Sequence, residues 1–209
     1  EAIADGEDET YVISADQWDP GTAAKLVNVL RWGAIDVEQA NAPFTLDGVS
    51  YPAGSYVIPG AQPFRSHLTD LLTPQVYPDR RMYPGGPPDR PYDVSGWTLP
   101  YQMGVSVQKH SGLGERSTLL ALEQVERASP PNGSVSGLAT VAYAIDPKAN
   151  DAFTAVNRLL TAGENISPTA SAENFGTRLW PPGTFLVVAG NGTHARMEDV
   201  ARSLGLRIA

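Results

Sequence analysis

The chain has 209 residues, of which 42% are hydrophobic and 18% are charged, and it contains no cysteine. The lack of cysteine excludes disulfide bonds, thiolate zinc sites and a cysteine nucleophile. A formal net charge of -8 argues against nucleic acid as a partner, and no apolar run approaches the ~20 residues that cross a bilayer.

The acidic residues 1–10 predict a disordered lead-in, and residues 11–73 predict a first α/β half. Asp19 before Pro20 predicts a helix start, because the carboxylate can accept the unpaired amides of the first turn and proline fits the first helical position. Gly33 suits the left-handed residue that ends this helix. The other predicted elements are strands at 11–13, 35–37 and 56–58, a hairpin of Phe44–Leu46 with Val49–Tyr51, and a helix after Pro63 that buries Phe64, Leu68, Leu71 and Leu72.

Residues 74–135 predict a connector rich in proline and tyrosine. Its run Tyr83-Pro-Gly-Gly-Pro-Pro excludes regular helix, because proline lacks an amide donor and blocks the preceding turn. A flexible linker is one interpretation, but large apolar side chains such as Trp97 favour an ordered, irregular segment. Candidates for further strands are residues 105–107 and 122–125.

Residues 136–209 predict a second α/β half that repeats the first. Tyr51-Pro-Ala-Gly-Ser-Tyr-Val-Ile and Trp180-Pro-Pro-Gly-Thr-Phe-Leu-Val share one order of aromatic, proline, glycine, hydroxyl, aromatic and aliphatic residues. Val27-Asn-Val-Leu and Val156-Asn-Arg-Leu precede the two copies at the same distance. Equal spacing of two matched motifs predicts an internally duplicated unit.

The second half also predicts the fold class. Its predicted elements are strands at 143–145 and 185–188, a helix between them, and a final helix that Thr193 caps and Gly205 ends. The first of these helices is capped by Asn150 or Asp151 and ends at Gly163. Its predicted buried residues are Phe153, Val156, Leu159 and Leu160. Short strands that are apolar throughout are typical of a sheet buried on both faces. We therefore expect an α/β fold with a mainly parallel, flavodoxin-like sheet that helices cover. Whether the halves share one sheet stays open.

The three histidines of the chain are candidates for metal binding or acid–base catalysis. His67 and Asp70, with the distant His194, resemble the ligand pattern of a zinc site, which is a His-x-x-Glu pair and a distant histidine. However, the aspartate side chain is shorter than glutamate and extends less far toward a metal, and both histidines fall on predicted helices. Thr193 with His194 has the outline of a nucleophile and its base, but adjacent residues at a helix start point apart, so capping by Thr193 is simpler. His110 is predicted in a loop. We expect no catalytic residue and no metal site in this segment.

Aromatic side chains in the connector are the other candidates. Tyr92, Trp97 and Tyr101 can stack on a sugar or a peptide, although simple packing explains them equally well. His194, at the start of the last predicted helix, completes the set of ligand-binding candidates.

Four stretches resemble a known family: Tyr92-Asp-Val-Ser-Gly-Trp-Thr-Leu-Pro-Tyr-Gln-Met-Gly-Val, Tyr51-Pro-Ala-Gly-Ser-Tyr, Gln62-Pro-Phe-Arg and Tyr83-Pro-Gly-Gly. They resemble the region that follows the catalytic domain in large bacterial proteins of the zinc carboxypeptidase family. Those proteins are typically exported, and this region is similar to a class I glutamine amidotransferase. The resemblance covers the chain from about Tyr11 to Leu206 and implies an amidotransferase-like fold.

The resemblance implies a position in a larger protein rather than an activity. The peptidase's His-x-x-Glu ligands and catalytic glutamate are not among these residues, and Ala189-Gly-Asn-Gly lies where an amidotransferase needs its cysteine. The implied function is a non-catalytic accessory domain that packs on the peptidase domain of the same chain or presents substrate to it. Zinc would belong to that peptidase domain, with no cofactor here. The start at Glu1, without Met or a signal-like segment, leads us to expect a mature or excised part of a longer protein. The resemblance implies that this protein is bacterial and exported.

An alternative function follows from the expected α/β fold alone. A free-standing hydrolytic enzyme or ligand-binding protein would hold its site at the carboxyl ends of the strands. A pocket lined by Asp16 and His194, with bound metal, would favour this alternative, whereas an exposed apolar patch would favour the accessory domain.

Overall fold

The computed structural model describes residues 9–74, 78–90, 98–111, 121–175 and 178–209. Two compact units account for them. Unit 1 comprises the described residues up to 16 and those from 26 to 127, and unit 2 comprises residues 17–25 and those from 128 onward. The division falls within the first helix.

Unit 1 is built on a five-stranded antiparallel sheet. Its elements in chain order are β1 Glu9–Ile13, α1 Pro20–Trp32 (whose residues 20–25 belong to unit 2), β2 Glu38–Ala40, β3 Phe44–Leu46, β4 Val49–Tyr51, β5 Tyr56–Pro59, α2 Arg65–Leu72, α3 Leu99–Met103, β6 Val107–Ser111 and β7 Leu122–Gln124. The sheet order is β6-β1-β5-β2-β7, and β3 and β4 form a separate hairpin. The outer strands are β6 and β7. Strand β7 lies within the predicted 122–125, whereas β6 begins at Val107, the last residue of the predicted 105–107.

Unit 2 is built on a three-stranded antiparallel sheet of order β10-β13-β9. Its elements are β8 Ser134–Val135, β9 Ala142–Ile145, α4 Asn150–Thr161, β10 Ile166–Pro168, β11 Glu173–Phe175, β12 Arg178–Trp180, β13 Phe185–Val188, α5 Thr193–Leu204 and β14 Arg207–Ile208. Strands β11 and β12 form a hairpin, and β14 pairs with β8 in parallel. From β9 to α5 the order is strand, helix, strand, hairpin, strand, helix, which is also the order from β1 to α2.

The prediction of a mainly parallel, flavodoxin-like or amidotransferase-like sheet is wrong. Strands β1 and β2 are joined by α1 and run in the same direction, but β5 lies between them and pairs antiparallel with both. Strand β13 separates β9 from β10 in the same way. This is a split β-α-β arrangement. An apolar strand shows only that both its faces are covered, and here a hairpin covers one face of the sheet in unit 1, so burial did not require parallel neighbours.

The repeated Pro-x-Gly motif forms the same turn in both units. Gly54 and Gly183 have φ of 89° and 81°, a left-handed conformation that glycine adopts without a side-chain penalty. The following hydroxyl closes the turn, since Ser55 Oγ donates to the Pro52 carbonyl at 2.8 Å and Thr184 Oγ1 donates to the Pro181 carbonyl at 2.7 Å. The motif therefore sets the bend that leads into the central strand of each sheet.

The helix starts and ends were predicted with mixed success. The cap at Asp19 is confirmed, because its Oδ1 accepts the Thr22 N–H at 3.1 Å. The left-handed residue after α1 is Ala34, with φ of 57°, rather than Gly33. Glycine at 33 instead allows close packing, since a Cβ there would lie 2.7 Å from His67 Nε2.

Predictions of one strand position and of the buried residues of two helices were also wrong. Strand β2 begins after the predicted 35–37, and the fully buried Ile35 and Val37 lie in the loop before it. In α4 the buried residues are Ala152, Ala155, Val156 and Leu159, whereas Phe153 and Leu160 are about half exposed. Phe64 is also half exposed and lies before α2.

Candidate functional site

The aromatic candidates of the connector contribute little to a described site. Tyr92 and Trp97 lie outside the described residues. Tyr101 lies in α3 and is 74% exposed. Its ring is exposed to solvent, and Tyr101 does not line either of the two cavities described below.

His194 has a structural partner. At the start of α5, its Nδ1 lies 2.9 Å from Tyr143 Oη, and its Nε2 lies 3.6 Å from Glu198 Oε1, one turn further along the helix. Tyr143 Oη also accepts the N–H of Ala139 at 3.2 Å. Because Tyr143 is 1% exposed, these contacts tie α5 and the loop before β9 to the sheet.

The hydroxyl of Thr193 forms hydrogen bonds with Gly190 and Glu164 rather than with His194. Its Oγ1 accepts the Gly190 N–H at 3.2 Å and donates to Glu164 Oε2 at 3.0 Å, and Arg196 Nε donates to the other oxygen of Glu164. Thr193 is 1% exposed, so a substrate has no access to its hydroxyl. It is the first residue of α5 rather than its cap, and the preceding Gly192 is left-handed. This network fixes the strand-to-helix turn of unit 2.

A polar network that the sequence did not predict lies in unit 1. His110 belongs to β6 instead of a loop, and its Nε2 lies 2.5 Å from Tyr51 Oη. Its Nδ1 lies 3.3 Å from Asp47 Oδ2, in the turn of the β3–β4 hairpin. Tyr51 Oη also bonds to Gln108 Oε1 at 2.7 Å. The alternation of Gln108 and His110 along one strand face was the signal available in the sequence, but their partners lie far away in the chain.

This network holds the hairpin against the sheet. Tyr51 stacks on Phe44 with ring centroids 5.1 Å apart, and both pack with Val12 and Val57 of the sheet. Burial raises the pKa of Tyr51, and the charge of Asp47 raises it further, so the phenol stays protonated at neutral pH. A buried, protonated phenol with internal partners is suited to structural bonding rather than to proton transfer with a substrate.

In unit 1 the β3–β4 hairpin covers one face of the sheet. The corresponding face of the sheet in unit 2 is partly open. Side chains alternate along a strand, so Tyr143, Ile145 and Val187 face one side and pack with α4 and α5. The other side carries Ala142 and Ala144 of β9, which pair with Val188 and Leu186 of β13. A cavity of about 340 Å³ on this side is lined by Val141, Ala142, Ala144, Phe175, Leu186 and Ala209. We name these residues with Val188 the apolar face.

The apolar face is partly open to solvent. Val141 is 77% exposed and Val188 is 47% exposed. In unit 1 the corresponding surface is closed, because Val12 and Val57 lie under Phe44 and Tyr51 and are at most 1% exposed. Exposed apolar residues around a concave surface are typical of an interaction site.

Three further observations bear on function. Comparison with family models, curated proteins and solved structures gave no match. Within the described residues, no three histidine or carboxylate side chains come together as a metal site would require, and His67 and Asp70 are exposed on α2. In the same part of the chain, no helix is long and apolar enough to span a membrane.

Proposed function

We propose that this chain is a non-catalytic accessory domain of a zinc carboxypeptidase-like protein and that it docks on the peptidase domain through the apolar face of unit 2. The exposed apolar face supports the docking. The resemblance of the stretches around Tyr51, Gln62, Tyr83 and Tyr92 supports the identity of the partner. The peptidase domain would supply the zinc and the catalytic groups.

Docking would remove exposed apolar side chains of unit 2 from water. Val141 and Val188 keep large apolar surfaces in water, and each Å² of apolar area removed from water contributes about 25 cal/mol. Two valines alone cannot hold a stable complex, but the cavity beside them can accept an apolar side chain of the partner. The polar network of unit 1 has no such role, since its groups bond to one another.

The parentage is tested first by the coding sequence that precedes Glu1. The proposal expects it to encode a peptidase domain with a His-x-x-Glu motif, and an unrelated upstream domain would contradict it.

Docking is tested by mixing the 209-residue chain with that peptidase domain and measuring association by analytical ultracentrifugation. Val188→Asp should weaken association at least about tenfold, because a carboxylate would be buried without a partner. Val49→Asp is the matched control, since Val49 is also an exposed strand valine, at 36%, but lies in unit 1. Equal affinity of the two variants would contradict docking at the apolar face. Self-association that Val188→Asp abolishes would assign the face to a second copy of the chain instead.

A further inference from the structure

A second concave surface of unit 2 lies apart from the residues of the apolar face. This depression has a volume of about 470 Å³ and is lined by Trp18, Asp146, Pro147, Lys148, Arg178 and Pro181. That volume lies within the ~300–1,000 Å³ of small-molecule sites. Asp146 directly follows β9, so the depression, here named the Trp18 pocket, opens at the carboxyl end of that strand.

Trp18 gives the pocket an aromatic surface. It is 67% exposed, although burying an aromatic ring of this size is strongly favourable. The ammonium of Lys148 lies 3.8 Å from the centroid of its ring, a cation–π distance. This contact holds Lys148 Nζ beside the indole, and the exposed part of the ring can still stack against a ligand.

The charged groups of the pocket leave one positive charge in excess. Arg178 Nη2 donates to Asp146 Oδ2 at 2.6 Å, while the guanidinium lies 4.0 Å from the ring centroid of Trp180. Asp146 Oδ1 accepts the backbone N–H of Lys148 at 3.1 Å. Among the described residues, no carboxylate lies within ion-pair distance of Lys148 Nζ. Two cations and one carboxylate therefore form a local positive site on a chain whose net charge is -8.

We propose that the Trp18 pocket binds a small monoanionic ligand in which a carboxylate is joined to a flat or apolar group. The carboxylate would contact Lys148 Nζ and the N–H groups of Arg178 that Asp146 does not engage. The apolar part would stack on Trp18 against the two prolines. A single excess charge suits a carboxylate better than a phosphate dianion. Two sources share this chemistry, the free carboxyl end of a peptide and an acidic sugar.

The probes are N-acetylphenylalanine, its uncharged amide and glucuronate. Each is titrated into the ¹⁵N-labelled chain, and the indole N–H signal of Trp18, identified by its loss in Trp18→Phe, is followed by NMR. We expect the acid to shift this signal with a Kd of about 0.1–1 mM and the amide to bind at least fivefold more weakly. Tighter binding of glucuronate would identify the acidic sugar as the source, and tighter binding of the peptide-like acid would identify a peptide end.

Two variants test separately how the charge of Lys148 and the ring of Trp18 contribute to ligand binding. Lys148→Gln should weaken binding of the acid about fivefold, the range of an exposed ion pair. Trp18→Leu should weaken binding of acid and amide alike, and because this variant lacks the indole, its binding is followed through the backbone N–H signal of Lys148. Lys25→Gln is the control, because Lys25 lies in the same unit and is exposed, but it pairs with Asp151 at 2.9 Å and does not line the pocket. Acid and amide binding equally, no binding of either acid, or Lys148→Gln behaving like Lys25→Gln would each overturn the proposal. Circular dichroism of each variant checks that the fold is retained.

Discussion

Replacing Tyr51 by phenylalanine removes one oxygen from the polar network of unit 1 and leaves the packing in place. The phenylalanine ring can keep the stack on Phe44, whose centroid lies 5.1 Å away. What disappears is the hydroxyl, which bonds to His110 Nε2 at 2.5 Å and Gln108 Oε1 at 2.7 Å. The variant therefore isolates the hydrogen bonds between the β3–β4 hairpin and β6.

The expected cost follows from burial. Tyr51 is 3% exposed and the side chain of His110 is 6% exposed, so water cannot readily replace the lost hydroxyl. Leaving a buried polar group without a partner costs about 1–3 kcal/mol. For Tyr51→Phe we expect unit 1 to lose about 2 kcal/mol of stability. In a double-mutant cycle with His110→Ala we expect a coupling energy of about 1 kcal/mol, because the two residues contact each other.

Native-state hydrogen exchange is the suitable assay, because a chain of two units need not unfold in one step. The protected amides of β1 and β6 should exchange about 30-fold faster in the variant, the factor that corresponds to about 2 kcal/mol. Amides of β13, in unit 2, provide the internal control and should exchange at the wild-type rate. A change below about 0.5 kcal/mol in β1 and β6, or no coupling with His110, would refute the structural role of the network.

Three further outcomes are expected. Burial raises the pKa of Glu9, but the hydrogen bonds and charges of Lys109 and Arg65 together outweigh it and leave the pKa lowered, so Glu9→Gln should cost about 0.5–1 kcal/mol at neutral pH. This cost should vanish as the pH falls through the lowered pKa, and melting temperatures between about pH 6 and about pH 2 measure it. Burial, and then the charge of Asp36, raises the pKa of Glu38, so Glu38→Gln should melt higher than wild type at neutral pH and lose this advantage below the ordinary pKa of glutamate. A Cβ at Gly133 would lie 1.8 Å from the carbonyl oxygen of Ala201, so Gly133→Ala should destabilise unit 2 by about 3 kcal/mol. Hydrogen exchange of the protected β13 amides measures this loss, and an unchanged exchange rate would contradict the close approach.

The features that could be predicted from the sequence depend on near neighbours in the chain. The cap at Asp19 bonds three residues away, and the Pro-x-Gly turns close through a hydroxyl three residues after the first proline. Such contacts form within one turn, so residue type and spacing are enough to predict them. The presence of β1, β5, β9 and β13 was predictable for a similar reason, since a short apolar run between turn residues is typical of a buried strand.

The direction and order of the strands were decided only by tertiary structure. Burial of β1 and β2 is compatible with parallel or antiparallel neighbours, and the insertion of β5 between them depends on pairing across the whole unit. The candidate sites depend on distant residues in the same way. Asp47 meets His110, and Trp18 meets Lys148, only after folding, because hydrogen bonds and cation–π contacts depend on distance in space rather than in sequence. Local sequence therefore determined where this chain turns and which segments are buried, and long-range packing determined which polar groups meet and which apolar surface remains open.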